Sequence, residues 1–339
     1  MVPTARETNG SLQVFSTCPP SHEADPSRYL QRVAEVARWS EDAGCEGILV
    51  YTDNRLVDPW LVAAVIMTAT ERIAPLVALQ PVYMHPYSAA KMVASLAFLH
   101  GRRVYINLLA GGFKGDLEAL GDTTPHDERY ERAVAYADVM QRLLRGDDSV
   151  HVDGPFYRVQ GVRLQPAVPE ALRPGWLISG SSPAGRAAAR RLGAVAIAYP
   201  QPLHDERRVD DLTSGVRLGV VARPSRADAW AVARERFPAT RAGQIMHGLA
   251  TKASDSHWHR QLSEGDEGAD ESSGTYWLGP FRHYQTFCPY LVGSYPEVAA
   301  DLAAYVRLGH RTLILDIPPS REELAHSRHV IDLAREVES

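Results

Sequence analysis

Residues 58–80 read DPWLVAAVIMTATERIAPLVALQ and contain one complete helix–strand unit. Asp58 is a typical helix N-cap, and Pro59 suits the first helical position, where no backbone N–H has to bond within the helix. The apolar run that follows is typical of a buried helix, and the short run LVALQ at its end is typical of a buried strand. The stretch therefore predicts a helix that packs against parallel strands.

The same alternation repeats on both sides of this stretch. Residues 29–44, YLQRVAEVARWSEDAG, place apolar side chains, Leu30 among them, on one broad face of a helix that ends at Gly44. The strand GILVY follows. Downstream, Pro86–His100 predicts a helix before the strand RRVYINLL, and residues 125–144 predict a longer helix. The chain therefore reads as a series of helix–strand units.

Eight strand-like runs can be counted along the chain. They are SLQVFST (11–17), GILVY (47–51), LVALQ (76–80), RRVYINLL (102–109), WLISG (176–180), AVAIAY (194–199), VRLGVVA (216–222) and RTLILDI (311–317). A helix signal follows each run except AVAIAY, which leads into a polar loop. Eight parallel strands with helices predict a TIM (β/α)8 barrel with insertions, whose active site lies at the carboxyl ends of the strands.

Two segments are predicted to be insertions in one domain that spans residues 1–339. Residues 151–164, HVDGPFYRVQGVRL, are typical of a β-hairpin. Residues 263–274, SEGDEGADESSG, are acidic and have no apolar periodicity. This second segment is interpreted either as a mobile lid over the barrel or as a surface loop without a role.

The bulk properties exclude several classes of protein. The net charge of −5 gives no positive surface for nucleic acid or for an anionic membrane. Cys18, Cys45 and Cys288 form no paired motif, which indicates a reducing compartment. The first ten residues lack the apolar segment of a signal peptide, and no apolar run reaches bilayer length. We expect a soluble, cytoplasmic protein.

Standard motifs for nucleotides, Schiff bases and metals are absent from the sequence. No strand-like run ends in G-x-G-x-x-G, and there is no G-x-x-x-x-G-K-[ST]. None of the three lysines ends a predicted barrel strand, which argues against a Schiff-base aldolase. His247, His257, His259 and His283 lack the spacing of a zinc site, so no metal is expected.

The segment Gly180-Ser181-Ser182-Pro183 is a candidate phosphate site. It follows the strand WLIS and begins a helix, whose free N–H groups and partial positive charge attract anions. Two hydroxyl groups add further donors. Taken alone, the segment is equally typical of a plain helix N-cap without a ligand.

A second candidate group follows the strand VYINLL. Asn107 lies near the end of this strand, and Ala110 and Gly111 come directly after it, where the backbone must bend or approach a ligand closely. His126 and Tyr130 are four residues apart and share a helix face. Together these residues predict a polar wall around a heteroaromatic cofactor, although each has a structural explanation of its own.

Much of the chain resembles the bacterial luciferase-like flavin monooxygenases, and within them the alkanesulfonate monooxygenase branch. The resemblance rests on residues 58–73, residues 76–112, HDERYERA (126–133), FYRVQGVRLQPAVP (156–169), PGWLISGSSPAGRAAARRLGAVAIAY (174–199) and VGSYPEVAADLAAYVRLGHRTLIL (292–315). These segments occur in the expected order and at the expected spacing.

The resemblance implies a luciferase-like TIM barrel that binds FMNH2 supplied by a separate flavin reductase. With O2 a C4a-(hydro)peroxyflavin forms and oxygenates a small organic substrate. The implied site has three parts. The phosphate would lie on Ser181 and Ser182, with His126 and Tyr130 nearby. The isoalloxazine ring would lie on Asn107, Ala110 and Gly111. Thr52 and Gln80 would stand at the rim of the barrel. Arg217 and His126 are the candidate catalytic residues, and the family implies a homodimer or homotetramer.

Departures from the sulfonate branch argue against a simple alkanesulfonate as substrate. The positions of its Cys, strand-seven His, Tyr-Pro-His and strand-one His read here as Leu56, Gly219, Pro318-Pro319-Ser320 and Cys18. An aromatic-rich run, residues 276–287, predicts a pocket for a bulkier, less charged molecule or, alternatively, ordinary packing. An F420-dependent oxidoreductase and a degenerate flavin-binding partner subunit are the alternative functions.

Overall fold

The computed structural model describes most of the chain. The described residues are 12–22, 24–111, 113–146, 149–209, 213–241, 243, 245, 248 and 274–338. The strands are β1 (Gln13–Thr17), β2 (Gly47–Val50), β3 (Ala74–Leu79), β4 (Tyr105–Leu109), β5 (Val150–Asp153), β6 (Arg158–Val162), β7 (Gly175–Ser179), β8 (Val195–Ala198), β9 (Ser214–Arg223), β10 (Tyr276–Trp277), β11 (Tyr290–Ser294) and β12 (His310–Leu315). The helices are α1 (Pro26–Asp42), α2 (Pro59–Ala69), α3 (Pro86–His100), α4 (Lys114–Ala119), α5 (His126–Arg145), α6 (Pro183–Leu192), α7 (Arg226–Arg236), α8 (Gly279–Arg282), α9 (Tyr295–Arg307) and α10 (Arg321–Glu338).

Eight parallel strands close into a barrel with helices around it. Their order is β1, β2, β3, β4, β7, β8, β9 and β12, and β12 pairs again with β1. These are the eight strands that the sequence predicts, so the TIM barrel is confirmed. Because all eight are parallel, their carboxyl ends meet at one mouth.

In the described part of the chain three further strand pairings accompany the barrel, of which the short antiparallel pair β10–β11 is one. Strands β5 and β6 form the predicted antiparallel hairpin between α5 and β7. Strand β11 was not predicted, and it pairs in parallel with the last five residues of β9, Gly219–Arg223. The acidic segment 263–274 lies outside the described residues except for Gly274, and the organisation of residues 1–339 as one domain stays a prediction.

The start of α2 agrees with the sequence prediction, whereas one residue that was expected in the core is exposed. The side chain of Asp58 accepts a hydrogen bond of 2.8 Å from Trp60 N, and α2 begins at Pro59. Leu30 was predicted to face the core, but it is 60% exposed. The buried face of α1 runs through Val33, Val36, Ala37 and Ser40, with Tyr29 packed against the same core cluster, and Leu30 lies beside this face in solvent.

Apolar side chains fill the interior of the barrel. The cluster takes members from seven strands: Phe15, Leu49, Ala74, Leu76, Tyr105, Leu177, Ile197 and Ile314. Tyr105 packs edge-to-face on Phe15 at 5.1 Å between ring centroids, and its hydroxyl donates to Glu46 Oε1 at 2.6 Å. A Cβ on Gly175 would lie 2.4 Å from the Tyr105 ring, so only glycine fits there. The interior is therefore a packed core and not a channel.

The three cysteines, Cys18, Cys45 and Cys288, are all free thiols. Burial raises the pKa of the Cys18 and Cys45 thiols to about 12, so both stay protonated at neutral pH.

Of the helices in the described residues, none is both long and apolar enough to cross a bilayer.

The interior cluster yields a prediction about stability. Leu76→Ala should lower the free energy of unfolding by about 2–5 kcal/mol, because it leaves a cavity in a fully buried layer. Leu30→Ala is the matched control and should change it by less than about 0.5 kcal/mol. Urea denaturation followed by circular dichroism measures both. Equal losses in the two variants would contradict the assignment of the core.

Candidate active site

A polar layer lies above the apolar interior, at the mouth of the barrel. Side chains alternate along a strand, so the residue two positions after an interior residue also faces inward. Two positions after four of the apolar cluster residues stand Tyr51, Asn107, Ser179 and Asp316. The polar layer therefore begins where each strand reaches its carboxyl end, which is where barrel enzymes place their active sites.

Asn107 and Ser179 form a neutral part of this layer, on the neighbouring strands β4 and β7. Ser179 Oγ donates a 2.8 Å hydrogen bond to Asn107 Oδ1, and Asn107 is buried. Because this bond fixes Oδ1 as an acceptor, the amide nitrogen of Asn107 is left as the group that donates to a ligand.

The turn after β4 brings two predicted site residues together. Gly111 has φ +99°, and a Cβ on it would lie 2.9 Å from Leu117 and 3.4 Å from Gln80 Oε1. The positive φ and the close approach to Leu117 therefore favour glycine here, and the turn lies in contact with Gln80. Ala110 is buried beside it. Thr52 is half-buried at the end of β2, and among the described residues its side chain has no hydrogen bond.

The predicted phosphate segment forms the start of α6. Ser182 is the N-cap, and its Oγ accepts a 3.1 Å hydrogen bond from Gly185 N. Ser181 Oγ is buried and has no hydrogen-bond partner within the described part of the chain. A buried hydroxyl without a partner is unusual and suggests a missing ligand. Ser181, unlike Ser182, is therefore not explained by helix capping.

The start of α5 packs against this segment. A Cβ on Gly180, whose φ is +149°, would lie 2.1 Å from the Tyr130 hydroxyl oxygen, so the tyrosine is held directly against the serine turn. The rings of His126 and Tyr130 lie 5.3 Å apart, and His126 Nδ1 is 2.7 Å from Asp127 Oδ1. Tyr130 therefore contacts the serine turn, and His126 contacts Tyr130.

Arg217 lies in a separate, charged part of the polar layer. It pairs in register with Ile314, a member of the interior cluster. Its Nη2 donates to the Tyr51 hydroxyl and lies 3.4 Å from Asp316 Oδ1. In the described residues, no hydrogen bond or ion pair joins Arg217 to His126. The two candidate catalytic residues thus belong to different parts of the site.

Asp316 is the centre of this charged part. Its Oδ2 accepts hydrogen bonds from the Tyr290 hydroxyl at 2.8 Å and from Thr286 Oγ1 at 2.5 Å. Burial and the neighbouring Asp316 raise the pKa of Tyr290 well above its usual value, so this hydroxyl stays protonated. The Tyr290 ring covers Gly219, where a Cβ would lie 2.2 Å from the ring.

The aromatic run 276–287 serves mainly for packing. Tyr276 and Phe281 are buried in a core cluster outside the barrel, and Trp277 packs edge-to-face on Trp230 at 5.3 Å. For Tyr276, Trp277 and Phe281 the structure favours the alternative of ordinary packing, and the interpretation of the run as a pocket wall stays a prediction. Tyr276 and Trp277 form β10, which pairs antiparallel with the unpredicted strand β11.

Metal ligands are not found among the described residues, in which no group of three or more His, Cys, Asp or Glu side chains could hold a metal ion. Of the histidines considered from the sequence, His283 is placed with its Nδ1 2.8 Å from Gly279 O. His247, His257 and His259 lie outside the described residues.

Comparison with known proteins decides the family. The model of the luciferase-like monooxygenases matches residues 12–312, from the residue before β1 to the start of β12. The chain belongs to the luciferase-like monooxygenase family. A curated relative from Niallia circulans, the 4-(gamma-L-glutamylamino)butanoyl-[BtrI acyl-carrier protein] monooxygenase BtrO, is 31% identical over 329 residues, which are 94% of this chain and 96% of the relative.

Solved structures support the fold of this luciferase-like enzyme. A riboflavin lyase (RcaE) with modified FMN and riboflavin has a TM-score of 0.75 at 18% identity, and the match covers 97% of this chain and 92% of the lyase. An F420-dependent secondary alcohol dehydrogenase with an F420–acetone adduct has a TM-score of 0.65 at 14% identity, with 96% and 99% covered.

Sequence reasoning missed several residues of the charged part of this luciferase-like site. A signal existed for Asp316, because an acidic residue directly after the run RTLIL lies at the carboxyl end of a barrel strand. Tyr51 follows GILV in the same way. Thr286 and Tyr290 gave no such signal, since they reach Asp316 only through β11 and the segment before it.

The loop before α5 gives a prediction about pH. Burial by itself would raise the pKa of Asp122, but hydrogen bonds from Arg132 and Thr124 lower it to about 2. Because the pKa is lower in the folded state, the carboxylate stabilises the protein fully above its unfolded-state pKa of about 4 and loses this effect as the pH falls toward about 2.

Asp122→Asn should therefore lower the free energy of unfolding by about 1–3 kcal/mol at neutral pH. The difference from wild type should shrink as the pH falls below about 4. Urea denaturation across the pH range measures it. Asp138→Asn, on an exposed pair with Arg142 at 3.9 Å, is the control and should have little effect. A pH-independent difference would show that charge is not the cause.

Proposed function

We propose that the protein is a two-component monooxygenase that uses FMNH2 from a separate flavin reductase, together with O2, to oxygenate a small organic substrate. The observation that carries the proposal is the buried hydroxyl of Ser181, which lacks a partner among the described residues at the N-terminus of α6. This hydroxyl and the free N–H groups of the helix suit a flavin phosphate. The family supplies the reaction class.

The residues at the mouth fit FMN in three places. Ser181 and Ser182 would hold the phosphate, with His126 and Tyr130 beside it. Asn107, Ala110 and Gly111 would line the isoalloxazine, with Gln80 and Thr52 at the rim. The bare backbone at Gly111 leaves room for a flat ring, and the Asn107 amide nitrogen is free to donate to it. Reduced FMN, when bound, would supply the two electrons that activate O2, and O2 is the source of the oxygen atom transferred to the substrate.

The protein's own residues orient the reactants and exclude water. The buried layer below the mouth keeps solvent from entering beneath the flavin ring. His126 lies in the neutral part near the phosphate, so its role there is to hold the cofactor. Arg217 lies in the charged part with Tyr51 and Asp316, where it contacts the substrate.

The substrate proposed here is an acyl compound and not a simple alkanesulfonate. The relative from Niallia circulans is named for an acyl group carried by a carrier protein. The residues that the sulfonate branch carries are replaced here by Leu56, Gly219 and Pro318-Pro319-Ser320. A sulfonate is a strongly hydrated anion, and it is costly to bury without several donors in place of its water.

F420-dependent oxidation is the second candidate, because one solved neighbour is an F420-dependent alcohol dehydrogenase. A degenerate partner subunit is disfavoured, since Ser181, Ser182 and Tyr130 keep the arrangement that a cofactor phosphate needs. Anaerobic titration with FMNH2, oxidised FMN and reduced F420, followed by protein fluorescence, separates these possibilities. FMNH2 should bind most tightly.

Ser181→Ala should weaken FMNH2 binding by about 1–3 kcal/mol, because it removes one hydrogen bond to a charged phosphate. It should leave the unfolding of the cofactor-free protein unchanged, since this hydroxyl has no partner within the described residues. Ser182→Ala is the matched control and should also destabilise the cofactor-free protein, because it removes the cap of α6.

Two results would contradict the proposal. Unchanged FMNH2 affinity in Ser181→Ala would place the phosphate elsewhere. Efficient NADH oxidation by the purified protein with FMN, without a reductase, would show that the flavin is reduced on this chain and not by a second component.

The proposal that the protein forms a homodimer or homotetramer rests on the exposed apolar surface of helix α2. Helix α2, PWLVAAVIMTA, has no charged residue on any face, which is typical of a helix covered on all sides. Yet Leu61 on α2 is 65% exposed. A second copy of the chain would cover this side chain.

Leu61→Glu should reduce the molecular mass in solution to that of a monomer, because it buries an unpaired charge in the contact. Light scattering after size-exclusion chromatography measures the mass. Leu30→Glu, on the equally exposed end of α1, is the control and should leave the mass unchanged. A monomeric wild-type protein would refute the proposed assembly.

A further inference from the structure

Arg217 spans the interior of the barrel mouth. It begins on β9 and its Nη2 reaches the hydroxyl of Tyr51 on β2, although β12 and β1 lie between these strands in the sheet. Its side chain must therefore cross the space inside the barrel. Only 8% of the residue is exposed. The guanidinium is thus a buried group at the place where a substrate would enter.

One donor of this guanidinium has no partner. Arg217 Nε is buried and lacks a hydrogen bond to any described residue. A buried donor of this kind is normally satisfied, and at the mouth of an enzyme barrel a ligand is the natural acceptor. The unpartnered Nε therefore indicates that a substrate atom bonds here.

The charges around Arg217 Nε determine which kind of substrate atom can accept its hydrogen bond. Asp316 Oδ1 lies 3.4 Å from Arg217 Nη2, so one carboxylate faces one guanidinium. The pair also contacts the hydroxyl groups of Tyr51, Tyr290 and Thr286 and the buried thiol of Cys288, and the guanidinium lies over the Tyr51 ring at 4.9 Å. The pair therefore has no net charge before any ligand binds.

We propose that Asp316 is a specificity-determining residue that neutralises Arg217 and so makes it a hydrogen-bond donor for an uncharged carbonyl of the substrate. This inference rests on the proposed function, in which Arg217 contacts the substrate. A second anion would have to compete with Asp316 and would stand beside it in a buried site, which is unfavourable. An amide or thioester oxygen accepts from Nε without adding a charge.

The simpler role for Asp316 is structural. Its bonds to Tyr290 and Thr286 tie β12 to β11 and to the segment before it, and this alone would explain a buried carboxylate. A purely structural Asp316 would affect stability but would not alter the relative affinity for neutral and anionic ligands. The two roles are therefore distinguished by ligand discrimination.

The test uses hexanamide and hexanoate, which have nearly the same shape and differ in charge. Their affinities for the full-length protein with oxidised FMN present are measured by calorimetry or ligand-observed NMR. Wild type should bind hexanamide at least about tenfold more tightly than hexanoate. Asp316→Asn should reverse this preference, because the charge of Arg217 is then uncompensated. Thr286→Val keeps the carboxylate and should retain the wild-type ratio.

Arg217→Gln provides a second test, which remains available if the Asp316→Asn variant does not fold. It should weaken hexanamide binding by about tenfold, since it removes the Nε donor. Equal affinities in wild type, an unchanged ratio in a folded Asp316→Asn variant or unchanged hexanamide affinity in Arg217→Gln would each overturn the proposal. The proposed function fails separately, by the absence of FMNH2 binding, because the amide–carboxylate discrimination is measured without turnover.

Discussion

The packed interior of the barrel is the constraint on which the rest of the site depends. Side chains from opposite strands meet in one apolar layer, and this layer closes the barrel from below. Because inward positions recur every two residues, the next inward residues must lie above that layer, near solvent. Polar groups such as Asn107 and Asp316 are therefore collected at one mouth by the geometry of the strands.

Within that mouth the chain separates two chemical environments. Around Asn107, Ser179 and the serine turn before α6, the groups are neutral donors and acceptors. Around Arg217 and Asp316 they are charged and mutually paired. The division follows the order of the strands, since β4 and β7 are neighbours and β9 and β12 are neighbours. The neutral and the charged environment are thus carried by different strands of one barrel.

Local patterns allowed much of the fold to be predicted. The eight barrel strands, the cap at Asp58 and a serine cap at Ser181 or Ser182 are each determined by a few adjacent residues, so a single sequence reveals them. The structure places the serine cap at Ser182. Leu30 could not be assigned in this way, because its exposure depends on which side of α1 packs against the neighbouring elements. The contacts of Tyr290 with Asp316 also escaped prediction, since they join residues from separate segments that only the closed barrel brings together.

The close packing of Tyr290 on Gly219 makes the side-chain sizes at positions 219 and 290 depend on each other. Register places these residues side by side on β11 and β9, and the ring occupies the volume that any side chain at position 219 would need. A change at either position is therefore constrained by the other: a larger residue at 219 requires a smaller one at 290. Side-chain bulk at this point of the barrel can consequently change only by paired exchanges, in which volume moves from one strand to the next while the total volume of the two side chains is conserved.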